Sequence, residues 1–126
     1  MVRIQPNTNP DVKSQEILAG VKKMLGSTPN MFTTMAHSSG ALGVFVGALG
    51  AMGSSKLSGG LREQLALTVA GANSCDYCAS AHTLLGKMNK ISEEELAANL
   101  QAESANTKTQ AALTFAKRVV VLRGRV

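Results

Sequence analysis

Apolar positions along this chain fall into blocks of helical length, separated by polar or glycine-rich turns. Asp11, after Pro10, caps a first helix that runs to about Leu25, with Gly26 as its stop. Ser27-Thr28-Pro29-Asn30 reads as a turn, and a short helix covers Met31 to His37. Ser38 or Ser39 then caps a helix through Met52, and Gly53 to Gly60 reads as a loop. Leu61 to Ala72 is apolar almost all round, the mark of a fully buried helix. Asn73-Ser74 breaks it, with Ser74 as the N-cap of a helix from Cys75 to about Met88 that ends at Asn89. Ser92-x-x-Glu95 is a capping-box pattern opening a helix to about Ala102, and a last helix runs from about Thr107 to Leu122, ending near Gly124. The one strand-like patch is Arg118-Val119-Val120-Val121-Leu122, and no repeat of solenoid length is visible. The expected fold is an all-α helical bundle.

Composition narrows the class. A chain of 126 residues with 44% hydrophobic content fits one globular domain spanning 1–126. Aromatics make up only 3% and Trp is absent, so Ala, Leu, Val and Met must build the core, which suits close-packed helices. The net charge of +5 is mild and its residues are scattered, except at Lys117-Arg118 and Arg123 with Arg125. A nucleic-acid binder needs a basic stripe and stacking aromatics, and neither is present. No apolar stretch follows Arg3, so the N-terminus does not read as a signal peptide. No fixed charge lies between Lys23 and Lys56, yet the truly apolar part, Ala41 to Met52, is too short to span a bilayer. It reads as a buried helix of a soluble, cytoplasmic protein. Its glycines at 40, 43, 47 and 50 are costly inside a helix, and close helix-helix approach, within the chain or across a subunit interface, would explain them.

The chemistry concentrates in Cys75-Asp76-Tyr77-Cys78-Ala79-Ser80-Ala81-His82. The only two cysteines stand three apart, and His82 follows Cys78 by four. On a helix, at about 100° per residue, Cys75, Cys78 and His82 lie within roughly 60° of one another. A C-x-x-C pair in a reducing compartment is a redox or metal motif more often than a structural staple. With Ser74 as N-cap, Cys75 becomes the first helical residue, where free N–H groups and the helix dipole favour a thiolate. Cys78 takes its activation from His82, one turn along, which accepts the thiol proton. Glu63 shares a face with Ala66, Leu67 and Ala70. It is either a carboxylate on a buried surface that requires a partner, or a first-turn acid paired with Arg62 or Lys56.

Glu63, eleven residues, Cys75-x-x-Cys78, three residues, His82 resembles the pattern of the alkylhydroperoxidase D-like branch of the carboxymuconolactone decarboxylase family. Gln64 to Ala70, Tyr77 to His82, and Asn30-Met31-Phe32 with His37 are similar to the family too, so the resemblance covers about residues 20 to 125. It implies an all-helical, oligomeric thiol peroxidase, a trimer or hexamer, that works without cofactor or metal. It further implies that Cys78 attacks the hydroperoxide, that Cys75 resolves the sulfenic acid into a disulfide, and that Glu63 and His82 relay protons. An external dithiol, such as a lipoyl group, would restore the thiols. The dipole argument alone favours Cys75 as the more acidic thiol; both views hold if Cys75 is the exposed exchanging thiol and Cys78 the deeper, His-activated one.

Two departures from the family pattern stand out. Ser38-Ser39 follows His37 where relatives often have proline, and the sequence ends at Val126, where relatives usually continue with another helical pair. The second leads one to expect a truncated chain or a surface covered by a partner. Three other functions compete. Two thiols, an imidazole and a carboxylate could ligate zinc, but i, i+3, i+7 on one helix is a poor zinc geometry. A decarboxylase-like lyase has no need of a dithiol, and a non-enzymatic helical interaction protein has no need of Glu63 and His82 beside it.

Overall fold

The computed structural model describes residues 3–126, and its described residues form helices without strands: α1 (Val12–Leu25), α2 (Asn30–Met35), α3 (Ser39–Gly53), α4 (Gly59–Ala72), α5 (Asp76–Met88), α6 (Glu93–Leu100) and α7 (Thr107–Val121). The all-α expectation holds. The helices divide between two compact units that meet in sequence at Ser55 and Lys56.

In the N-terminal unit, Asp11 caps α1 by accepting the Ser14 N–H, and Gly26 ends it in the left-handed region at φ 76°, both as the sequence predicts. Ser38, rather than Ser39, caps α3. Val21, Phe32, Ala36 and Leu42 form the core, with Ile17, Leu18, Phe45, Val46 and Leu49 packed against it. The Phe32 and Phe45 rings sit 5.8 Å apart, centroid to centroid. The segment before α1 is tied down by Asn7, whose N–H and side-chain amide donate to the carbonyls of Thr33 and Ala36. His37 Nε2 lies 3.0 Å from the Gln5 carbonyl.

α3 corrects the sequence reading. It is not buried: within the single chain only Leu42 is fully covered, and Val44 is 76% exposed. Its packed side meets α1 and α2. A Cβ at Gly47 or Gly50 would meet no atom within 4 Å, so no close approach inside the chain explains these glycines.

In the C-terminal unit α4 is the hub, packed by α5, α6 and α7. Ser58 caps it, so the helix begins at Gly59, two residues earlier than read. Full burial is confined to Leu67, Thr68 and Ala70, and the remainder of α4 is half-buried. Gly86, Leu96, Asn99, Ala102 and Leu113 complete the buried set of this unit. Close approach occurs here, at positions not singled out beforehand. A Cβ on Gly71 would collide with the Leu100 carbonyl, and one on Gly86 with the Leu96 side chain. Glu95 cross-links the unit: its carboxylate accepts from Gln64, Asn99, Ser104 and the Ala105 N–H. Ser92 Oγ accepts the Glu95 N–H, the first half of the expected capping box.

All four helices of this unit end in one turn type, with a residue other than glycine in the left-handed position. After α4, Ser74 (φ 51°) donates to Gly71 O and Cys75 N–H to Ala70 O. Lys90, Ala102 and Arg123 do the same for α5, α6 and α7, giving the paired closing bonds of the Schellman motif. This overturns the reading of Ser74 as an N-cap. Ser74 is spent closing α4, so the cap of α5 falls one position later, on Cys75.

Candidate active site

The site is built where α4 hands over to α5. Cys75 has extended backbone angles and is not helical, which corrects its predicted place as the first helical residue. Its Sγ accepts the Cys78 backbone N–H at 3.3 Å, so the sulfur itself is the N-cap of α5. Cys75 and Cys78 are joined in a disulfide, their Cα atoms 5.3 Å apart. Both residues are half-buried, so neither is openly exposed or fully covered. His82 follows on α5, one turn beyond Cys78.

Glu63 arrives from α4. Because α4 begins at Gly59, Glu63 lies past the first turn, and the open choice for its partner resolves. Its Oε2 is 2.7 Å from His82 Nδ1, with the Glu63 side chain 18% exposed and the His82 side chain 34% exposed. A carboxylate only accepts, so Nδ1 carries the hydrogen, and the lone pair of the neutral ring sits on Nε2. The short contact is of charge-assisted type and fixes the ring's tautomer and direction. Within this unit the fold thus brings Glu63 to His82, closes Cys75 onto Cys78, and sets both cysteines at the start of the helix that carries the histidine.

Chemically, the arrangement brings together a cysteine pair able to cycle between dithiol and disulfide, an imidazole one turn along from its second member, and a carboxylate that orients that imidazole. Among the described residues no group of three or more His, Cys, Asp or Glu side chains is disposed to hold a metal ion. No helix among the described residues is long and apolar enough to cross a membrane. The feature that sequence reasoning missed is the left-handed Ser74, which carries the capping role onto a sulfur. A serine straight after an asparagine at a helix end looks like a cap, and nothing in its chemistry announces a positive φ.

No curated protein matches the chain. Among solved structures, an uncharacterized peroxidase-related protein from Silicibacter sp. TM1040 superposes with a TM-score of 0.79 at 20% identity, covering 100% of this chain and 73% of that one. The likeness shows a shared fold. The carboxymuconolactone decarboxylase family matches residues 41–118, a span that contains Glu63, Cys75, Cys78 and His82, and the chain belongs to that family.

Proposed function

We propose that the protein is a thiol-dependent peroxidase that reduces hydroperoxides through Cys78 and Cys75 and is recycled by an external dithiol. The Glu63–His82 contact of 2.7 Å, on the helix that begins with the cysteine pair, carries this reading. His82 takes the proton of Cys78, and the thiolate attacks one peroxide oxygen, breaking the O–O bond and releasing an alcohol or water. Cys78 becomes a sulfenic acid. The Cys75 thiolate attacks that sulfur, expels its oxygen as water once protonated, and forms the disulfide. A dithiol of lipoyl type then exchanges with it, returning two thiols and leaving oxidised as a disulfide. The cycle uses no cofactor or metal. It suits the cytoplasm, where dithiol reductants keep such a pair turning over. The peroxidase-related name of the Silicibacter sp. TM1040 protein of like fold lends support. A lyase of the decarboxylase type would leave the two thiols without a role.

The test is thiol titration before and after peroxide, with and without a zinc chelator. Peroxide should consume both thiols, and a dithiol should restore them. Cys78→Ser should abolish peroxide consumption. Cys75→Ser should permit a single turnover and leave a sulfenic acid at Cys78. If Cys75→Ser blocks the first peroxide event while Cys78→Ser leaves it intact, the roles are reversed. Stoichiometric zinc, lost together with the fold, would sink the peroxidase.

A further inference from the structure

The position of the Cys75 sulfur bears on a step that the proposed cycle leaves open, namely which sulfur the reductant attacks. Burial does not decide it, because both cysteines are half-buried. The two sulfurs differ in their hydrogen bonding. Cys75 Sγ accepts the Cys78 N–H as the cap of α5. The residue's backbone is held on both sides, its N–H on Ala70 O at 3.0 Å and its carbonyl on the Ala79 N–H at 2.9 Å. The cap geometry therefore stays in place when the disulfide opens. A negative charge released on that sulfur lands on a ready N–H donor at the positive end of a helix. Cys78, inside the first turn, has no such donor in its own helix. Its help would come from a protonated His82, whose positive charge is already shared with the paired Glu63 carboxylate at 2.7 Å.

In thiol–disulfide exchange the better-stabilised thiolate leaves faster. We infer that the incoming thiolate attacks Sγ of Cys78 and that Cys75 departs as the helix-capping thiolate. The inference rests on the reading of this pair as a redox couple. In the step, a bond forms between the reductant's sulfur and Cys78 Sγ, the Cys75–Cys78 bond breaks, and its electron pair stays on Cys75 Sγ. The second thiolate of the dithiol then attacks the reductant's own first sulfur and frees the Cys78 thiolate. The dithiol is oxidised by two electrons and the protein disulfide reduced by two. The dithiol's two protons pass to solvent or to the released thiolates. The oxidative half mirrors this: the sulfur that leaves in reduction is the one that attacked the sulfenic acid.

Glutathione serves as the probe, since a monothiol stops at the mixed disulfide. The oxidised full chain is mixed with glutathione in the presence of iodoacetamide, acid-quenched, digested and sequenced by fragmentation mass spectrometry. The expected product carries glutathione on Cys78 and the alkyl group on Cys75, in about fivefold excess over the reverse isomer, the size of an N-cap effect. An even split, the reverse isomer in excess, or a disulfide that forms no adduct would each overturn the assignment. Peroxide consumption is assayed separately on the same preparation. A protein that forms the Cys78 adduct but consumes no peroxide keeps this inference and loses the peroxidase. One that consumes peroxide and forms the Cys75 adduct does the opposite.

Discussion

His82 is worth more to the site than its spacing from Cys78 suggests, because Glu63 fixes which of its nitrogens is free. With Nδ1 bonded to the carboxylate, Nε2 is the atom available to take a proton. Removal of a positioned general base typically costs about 10²–10⁴-fold in rate. His82→Ala should slow peroxide consumption at neutral pH by that order. The loss should shrink as pH rises and the thiolate forms unaided, which a pH–rate profile of both proteins would show; a pH-independent deficit would mean that His82 only supports the fold. Glu63→Gln keeps the shape and removes the charge, so its loss should run in the same direction and be smaller. Spacing alone singled out Cys75, Cys78 and His82, whereas Glu63 stayed an open choice that the family resemblance favoured and the contact with His82 decides. The capping sulfur was not legible. It depends on Ser74 adopting a left-handed backbone, a choice made by the closure of α4 and the packing of α5 upon it rather than by serine itself.

Helix existence followed from the hydrophobic pattern, and most boundaries fell within a residue or two of their caps at Asp11, Ser38, Ser92 and Asn106. Burial was harder to read, because apolar composition does not say how many sides of a helix are covered. The glycines of α3 drew attention by their period, while the ones that permit contact, Gly71 and Gly86, stand singly in α4 and α5. Gly71→Ala should destabilise by about 1–3 kcal/mol, since its methyl group meets the backbone carbonyl of Leu100, which has little room to shift. Gly20→Ala on α1, with nothing within 4 Å, should instead stabilise by about 0.5–1 kcal/mol. Denaturant midpoints of the two variants should move in opposite directions. Glu95 gives a prediction about pH. Burial pushes its carboxyl up, but donors from Ser104, Asn99, Ala105 and Gln64 outweigh this and hold it below its ordinary 4.5. A depressed carboxyl contributes stability above its unfolded value and loses it as pH falls through the folded one. Glu95→Gln should therefore be less stable than the parent at neutral pH, by roughly 1–3 kcal/mol for a lost charged acceptor. The gap should narrow below the ordinary carboxylate range; a gap that does not change with acidification would show that shape, not charge, holds the hub.

At the scale of the molecule, every candidate catalytic residue lies in the unit from Lys56 to Val126, whereas the large apolar side chain with the highest fractional exposure among the described residues, Val44, lies on α3 in the other. Leu42, Phe45, Val46 and Leu49 of α3 face the core of their unit. The other side carries Gly40, Ala41, Val44, Gly47, Ala48 and Ala51, uncharged and small enough for a second helix to lie close. Exposed Tyr77, Leu84 and Met88 on α5, and Phe115 and Val121 on α7, extend the same pattern to the second unit. An uncharged apolar helix face left open to water, as on α3, marks a surface that associates. We therefore predict a homo-oligomer, a trimer or hexamer, with the outer side of α3 at a subunit contact. Val44 is 76% exposed, so Val44→Glu should leave the folded chain intact while placing a charge in that contact. Sedimentation at micromolar concentration should give an assembly for the parent and a smaller species for Val44→Glu, with unchanged helical circular dichroism. A compact monomer for the parent would remove the oligomer, and an unchanged assembly for Val44→Glu would move the contact away from α3.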